Sequence, residues 1–385
     1  MKKLVCLLMA ALMALSLLPA LAETASVTAH VAEIQKYGNL VLDIPGSALL
    51  EAGFTYGDVV TVTVNGQSYD MPVGSNYSDV DQGSMICRVV IKDNPEAPED
   101  YAVVAINMGD MATTCGIAVK TSIEEAPGYL WSLNEGVEDP VTLSIEMKEA
   151  GGYYDRWVIN QLVRSENRED YPDLTDEQFA NFRAVTTTGM AEGRLYRSSS
   201  PVNPEIGRNT YADAAAREAG VKTFVNLADN AETMQGYEGF GESYYSAQNI
   251  IGLNLGVDFA APDFGAGLAE GFRFIASHEG PYLVHCTEGK DRAGFTAAVL
   301  ECLMGATAEE VVADYMVTFY NYYGVVPGTE QYDIIASANI CKSLAAAFGV
   351  ESIEGQDLAA LAENYLLSIG MIGEEVAALK AALGN

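Results

Sequence analysis

The chain has 385 residues, enough for two ordinary domains, and 49% of them are hydrophobic, which supports a buried core and excludes a disordered chain. The formal net charge is −32 at pH 7. So acidic a protein repels nucleic acid and anionic membranes, and any site for a phosphorylated ligand has to be a local basic exception.

At the N-terminus, Lys2 and Lys3 precede an almost wholly apolar run from Leu4 to Leu18, and Pro19-Ala20-Leu21-Ala22 offers a small-x-small cleavage site before Glu23. The run is short for a spanning helix, so residues 1–22 are expected to be an export signal. The mature chain is then expected to be secreted or at the cell surface, with no stable membrane insertion. Losing Cys6 with the signal leaves Cys87, Cys115, Cys286, Cys302 and Cys341. An odd count leaves at least one free thiol and builds no disulfide framework, while a Cys87–Cys115 bridge stays open.

Residues 23–150 read as all-β. Asp58–Asn65 alternates with β-branched residues, Asn65-Gly66 signals a tight hairpin, and Tyr101–Ile106 and Val141–Ile145 are further strands. A small barrel or sandwich is expected. Gly151-Gly152 marks the junction to residues 151–385. There strands and helices alternate. Asn209–Ala219 and Gly267–Ser277 are predicted helices, and Val221–Leu227, Ile250–Leu255 and Tyr282–Val284 are predicted strands. That order implies an α/β domain with a mainly parallel sheet flanked by helices. Thr307-Ala-Glu-Glu310 is a capping box, followed by a core stripe of Val311, Tyr315, Phe319 and Tyr322. Further helices are predicted near 332–347, 355–367 and 373–382.

The chemistry concentrates in His285-Cys-Thr-Glu-Gly-Lys-Asp-Arg-Ala-Gly294. An apolar strand ends at Cys286, and a helix apolar nearly all round begins a few residues later. The loop between them therefore sits at a helix N-terminus, where free N–H groups and the helix dipole favour anions. Gly289 lets the loop curl so that its N–H groups converge. Two anions fit this field, the Cys286 thiolate and a phosphate above it. Arg292 closes the rim with a planar fork suited to two phosphate oxygens. Lys290 adds positive charge and is expected to contact substrate, and Glu288 places a negative charge that weakens binding of highly charged substrates unless it points outward. Thr287 completes the loop, and His285 is expected to orient it by hydrogen bonding. Three histidines (His30, His278, His285) form no ligand cluster, so neither a metal nor another cofactor is expected.

This loop resembles the Cys-x5-Arg signature of the protein-tyrosine-phosphatase superfamily. Its Gly-Lys-Asp-Arg form is similar to the atypical bacterial and fungal group that also accepts phosphoserine, phosphothreonine and phosphoinositides. Asn181-Phe-Arg183, Gly193-Arg-Leu-Tyr-Arg-Ser198 and Val221–Leu227 with Glu232 resemble further segments of that group, in order, over roughly 178–325. The resemblance implies a phosphomonoester hydrolase working through a phosphocysteine on Cys286, with a phosphorylated protein, a phosphoinositide or an inositol phosphate as substrate. It makes Asp291 the first candidate for general acid, with Asp258 and Asp263 as rivals in a Gly/Pro/Ala-rich segment and Asp229 behind them. Arg197 is placed to support the site from a neighbouring strand. Three departures stand out: Ala293 replaces a Thr or Ser whose hydroxyl helps the intermediate break down, and Asn226 and Ala228 replace an Asp and an Arg. They leave open a phosphate-binding protein with weak or no turnover. Lys36–Ile44, Thr55–Asp58, Tyr77–Val80 and Ala105–Asp110 resemble the C-terminal β-barrel of SAM hydroxide adenosyltransferases. The catalytic domain of those enzymes is absent, so that resemblance implies a fold and not their reaction.

Overall fold

The computed structural model describes residues 25–91 and 100–384. The expected export signal, residues 1–22, lies outside the described residues. The chain divides into two compact units, one ending at Gln161 and the other starting at Leu162.

The first unit contains β1 (Ser26–Ile34), β2 (Leu40–Leu42), β3 (Val59–Val64), β4 (Gln67–Gly74), β5 (Met85–Val90), β6 (Tyr101–Ile106), β7 (Ala118–Ser122), β8 (Tyr129–Leu133) and β9 (Thr142–Glu149). Seven of them close into a barrel in the order β1-β2-β6-β5-β4-β3-β9, and β7 and β8 form a separate ribbon. Period-two burial drives the closure. Val60, Val62 and Val64 of β3 are buried at 0–1% exposure while Val59, Thr61 and Thr63 between them are not. Asn65 (φ 49°) and Gly66 (φ 71°) both take the left-handed backbone that a two-residue hairpin demands, and they fix the β3–β4 register with Val64 opposite Gln67. Three short helices accompany the strands, α1 (Gly46–Glu51) and α2 (Met111–Thr114) between them and α3 (Tyr154–Asn160) after β9. None is long enough to show a 3.6-residue period in the sequence. Cys87 and Cys115 are both free and buried, so no bridge joins them. Burial pushes their thiols up, to about 12 and about 11.

The second unit is α/β. Its sheet comprises β10 (Arg183–Ala184), β11 (Leu195–Ser198), β12 (Thr223–Asn226), β13 (Asn249–Gly252) and β14 (Tyr282–His285), in the order β10-β11-β14-β12-β13. Only the edge strand β10 runs antiparallel. Central β14 is flanked on both sides, so all four of its residues are buried. Ser198, Asn226 and His285 lie in register at the carboxyl ends of three adjacent strands. In open parallel sheets ligands bind at that edge, and Cys286 emerges from it.

Around the sheet lie α4 (Asp176–Phe179), α5 (Asn209–Glu218), α6 (Ala231–Gly236), α7 (Pro262–Ser277), α8 (Asp291–Met304) and α9 (Ala308–Tyr323). They are followed by α10 (Glu330–Ala336), α11 (Lys342–Phe348), α12 (Leu358–Ser368) and α13 (Gly373–Gly384). α10 and α11 are joined through a π-helical segment, Ser337–Cys341, which accounts for the single long helix expected there. Residues Ala293 to Leu303 of α8 are all buried. The Thr307–Glu310 capping box starts α9, and Val311, Tyr315, Phe319 and Tyr322 face the core. Among the described residues no helix is long and apolar enough to cross a membrane.

Candidate active site

The loop between β14 and α8 is held by its carbonyls. Ser200 N–H donates to Thr287 O (3.0 Å). Tyr322 Oη and Asn181 Nδ2 donate to Glu288 O. Arg197 Nη2 donates to Gly289 O (2.9 Å). With the oxygens pulled outward by the surrounding protein, the N–H groups of residues 287–291 turn the other way, and none has an acceptor among the described residues. Gly289 makes the turn possible. Its φ is +69°, and a Cβ there would fall 2.1 Å from the backbone oxygen of Ser198. The result is a ring of donors at the N-terminus of α8, beside Cys286, which is 3% exposed.

Arg292 closes the ring. Its Nη1 donates to Leu255 O (3.0 Å) and its Nη2 reaches Thr287 Oγ1 (3.5 Å), while Nε is buried without a partner among the described residues. One edge of the guanidinium is anchored and the other keeps unused donor capacity, the arrangement that an oxyanion completes. His285 is fully buried between Tyr245 Oη (3.1 Å from Nε2) and Cys286 O (3.4 Å from Nδ1). Burial lowers it to about 4, against the partial support of Cys286 O, so at neutral pH it is an uncharged hydrogen-bonding strut.

Glu288 does not leave a bare charge in the loop. It pairs with Arg164 Nη1 (2.7 Å) and Lys290 Nζ (2.9 Å). Burial opposes its ionisation, but Lys290 and Arg164 outweigh burial and hold its carboxyl below the usual range. Lys290 is thereby committed to Glu288 and to Tyr323 Oη (3.4 Å). Burial works against its charge, and the Asp291 and Glu288 carboxylates more than reverse that. Asp291, the first residue of α8, stands at the rim with half its side chain open. The protein packed around it raises its carboxyl, and Glu288 adds to the rise against Lys290 and Arg292.

Asp258 lies in an exposed turn, its Oδ1 accepting from Ala260 N–H, and Asp263 is exposed in the first turn of α7. Among the described residues neither side chain has a hydrogen bond or ion pair with the loop. Asp229 is buried and accepts from Tyr237 Oη (2.9 Å) and Asn226 Nδ2 (3.1 Å). Asn226 Oδ1 accepts from the N–H groups of Ala228 and Asp229, so an amide holds the turn where the resemblance expects an ion pair.

Behind the loop Arg197 is buried and donates from Nη1 to Asp314 Oδ2 (2.7 Å), and Arg183 grips the same carboxylate (2.9 Å). Burial disfavours the Asp314 charge, but the two arginines overcome it and lower its carboxyl to about 2. Glu301 of α8 lies in the same pocket of charge. Burial, with Asp314 adding, pushes it well above the usual carboxyl range. Sequence reasoning missed Asp314, Glu301 and Arg164. Glu301 carries a readable signal, because it interrupts an otherwise apolar helix, whereas Asp314 shares its helix face with Glu310, Thr318 and Asn321 and does not stand out. Arg164 has none, being far from the loop in sequence.

A model of the tyrosine phosphatase family matches residues 176–383, more than half the chain, and a model of the SAM hydroxide adenosyltransferase C-terminal domain matches residues 29–124. A protein of Cupriavidus necator assigned as a tyrosine-protein phosphatase is 24% identical over 203 residues, covering 44% of this chain and 71% of that protein. Among solved structures, an uncharacterised conserved protein from Thermotoga maritima aligns at 21% identity and TM-score 0.23, covering 32% of this chain and 37% of that one. The core catalytic domain of the PP-IP phosphatase SIW14 from S. cerevisiae aligns at 16% identity and TM-score 0.27, covering 43% of this chain and 91% of that one. The chain belongs to the tyrosine phosphatase family and is a cysteine-dependent phosphatase.

Proposed function

We propose that the protein is an exported phosphomonoester hydrolase that passes its phosphoryl group through Cys286. The observation that carries the reading is the loop itself: unused N–H donors on residues 287–291, which follow Cys286 directly in the chain, and the unpartnered Nε of Arg292, whose Nη2 reaches back to Thr287. Three equatorial phosphoryl oxygens seated there meet the backbone donors of Thr287, Glu288, Gly289 and Lys290 and the fork of Arg292. The sulfur attacks phosphorus, the P–O ester bond breaks, and Asp291 gives its proton to the leaving oxygen. Water then attacks the phosphocysteine, Asp291 takes a proton from it, and phosphate leaves with the thiolate restored. Arg197 and His285 position the loop without touching substrate.

The substrate is a phosphorylated protein, a phosphoinositide or an inositol phosphate. Because Glu288, paired with Arg164 and Lys290, offsets much of the basic rim, we favour a substrate with few charges over a polyphosphate. One observation favours a second reading, a phosphate binder with weak turnover: Ala293 is fully buried and brings no hydroxyl to the site.

The test is phosphate release by the reduced full chain, with chelator present, on phosphotyrosine peptide, phosphoserine peptide, phosphoinositide and inositol hexakisphosphate, beside Cys286→Ser. Turnover that vanishes in the variant supports the cysteine mechanism and ranks the substrates. Vanadate binding without any turnover selects the second reading. Export is tested by the N-terminal sequence of the protein recovered outside the producing cell, which should begin at Glu23.

A further inference from the structure

Away from the Cys286 loop, the second unit holds a cavity of about 850 Å³ between the 258–262 segment with the start of α7, the π-helical segment with α11, and the end of α12. That volume admits a small organic molecule. Its walls are mostly apolar, with Phe259, Ala346 and Ile369 prominent. Among the described residues, the polar groups of Tyr365 and Lys342 on the lining lack partners. Tyr365 is 7% exposed, and its hydroxyl is buried with no hydrogen-bond partner. A buried unsatisfied hydroxyl is uncommon in a folded protein and asks for an acceptor. Lys342 has no carboxylate within ion-pair distance among the described residues, although the chain carries 53 Asp and Glu. Asp258 also lines the cavity, at its solvent-exposed mouth, with Oδ1 accepting from the N–H of Ala260 and its charge met by water. The unmet demand is therefore for acceptor oxygens and negative charge above an apolar floor. The π-helical segment, a widened turn of the kind often found at functional sites, places Ala338 on the lining and delivers Lys342 directly after it.

We infer that this cavity binds a small organic carboxylate, its apolar body against Phe259, Ala346 and Ile369 and its oxygens meeting Lys342 and the Tyr365 hydroxyl. The site is separate from the phosphate loop but adjoins its support. Phe259 stacks on Phe295 of α8 (4.5 Å), three residues beyond Arg292, and Arg292 itself is anchored on Leu255 O.

The experiment is calorimetric titration of the full chain with decanoate, and with decanol as its uncharged counterpart. Decanoate is expected to bind saturably, one per chain. Lys342→Met should weaken it about tenfold or more, as for loss of a charged partner, and Tyr365→Phe by roughly three- to tenfold. Decanol should bind weakly and show no dependence on Lys342. Lys342 is exposed, so its replacement leaves the core intact, and an unchanged thermal midpoint confirms that. Should Tyr365→Phe fail to fold, Lys342→Met decides alone. No saturable decanoate binding by the parent, or equal binding by parent and Lys342→Met, overturns the proposal.

Discussion

Arg292 divides its guanidinium between structure and ligand, one edge fixed on Leu255 O and Nε left without a partner. A lysine offers a point charge there and no fork. Arg292→Lys should therefore lower kcat/KM by about 10²–10³-fold, with vanadate affinity falling in parallel, while the unfolding midpoint stays put. Asp291 is the other residue whose environment suits a role. A general acid must be protonated when the leaving oxygen departs, and a raised carboxyl keeps its proton to higher pH. Activity on an alkyl phosphate such as phosphoserine should fall as pH rises through that raised value. Asp291→Asn should cost about 10²–10⁴-fold on phosphoserine peptide, cost far less on p-nitrophenyl phosphate, whose leaving group needs no proton, and erase the alkaline limb. If Asp258→Asn or Asp263→Asn gives that pattern instead, the acid lies in the 258–263 segment.

At the scale of elements, the loop is shaped by charges buried behind it. Arg197 ties Gly289 O on one side and Asp314 of α9 on the other, and Arg183 shares Asp314. Removing one partner of such a buried group leaves the others uncompensated, so Asp314→Asn should destabilise the second unit by about 3–5 kcal/mol and weaken vanadate binding with it. Glu301 is the contrasting case. Its carboxyl is pushed well above the ordinary range and so holds its proton to higher pH than a free one, and Glu301→Gln should shift stability by less than about 1 kcal/mol. Denaturant unfolding at pH 7 separates the two, and equal large losses would show that Glu301 is charged. These interactions also mark the limit of the sequence. The strand, the tight loop and the buried helix were legible because hydrophobic period, Gly289 and the helix start are local signals. So was the β3–β4 hairpin, through Asn65-Gly66. What was not legible is pairing at a distance: Arg164 finding Glu288, or Tyr322 and Asn181 reaching Glu288 O. Nothing local fixes those partners; the packing of α9 and the 162–165 segment does. The same reason left Glu288 as a bare charge in the sequence and a neutralised one in the structure.

For the molecule as a whole, net charge and buried groups pull the acid response in opposite directions. As carboxylates protonate below pH 7, the charge of −32 shrinks and self-repulsion eases, which stabilises both units. His285 works against this in the second unit alone. Unfolded, it takes a proton near 6.5, whereas folded it does so near 4. Between those values the unfolded state binds the extra proton, so stability falls with pH by up to about 1.4 kcal/mol per unit, roughly 3 kcal/mol in all. Below about pH 4 the Asp314 carboxylate, lowered to about 2, adds a further loss as it is forced to protonate. The general charge term is common to parent and variant, so a substitution isolates the histidine. His285→Gln keeps a group able to bond Tyr245 but cannot titrate. Its stability between pH 6.5 and 4 should decline less steeply than the parent's, by close to one proton. The two tryptophans, Trp131 and Trp157, both lie in the first unit, so their fluorescence follows the barrel while helical circular dichroism follows the helix-rich second unit. The variant should change the pH slope of the dichroism transition and leave that of the fluorescence transition alone. Parallel slopes for parent and variant by dichroism would mean that His285 is already charged in the folded protein, and the neutral strut assigned to it beneath Cys286 would have to be abandoned.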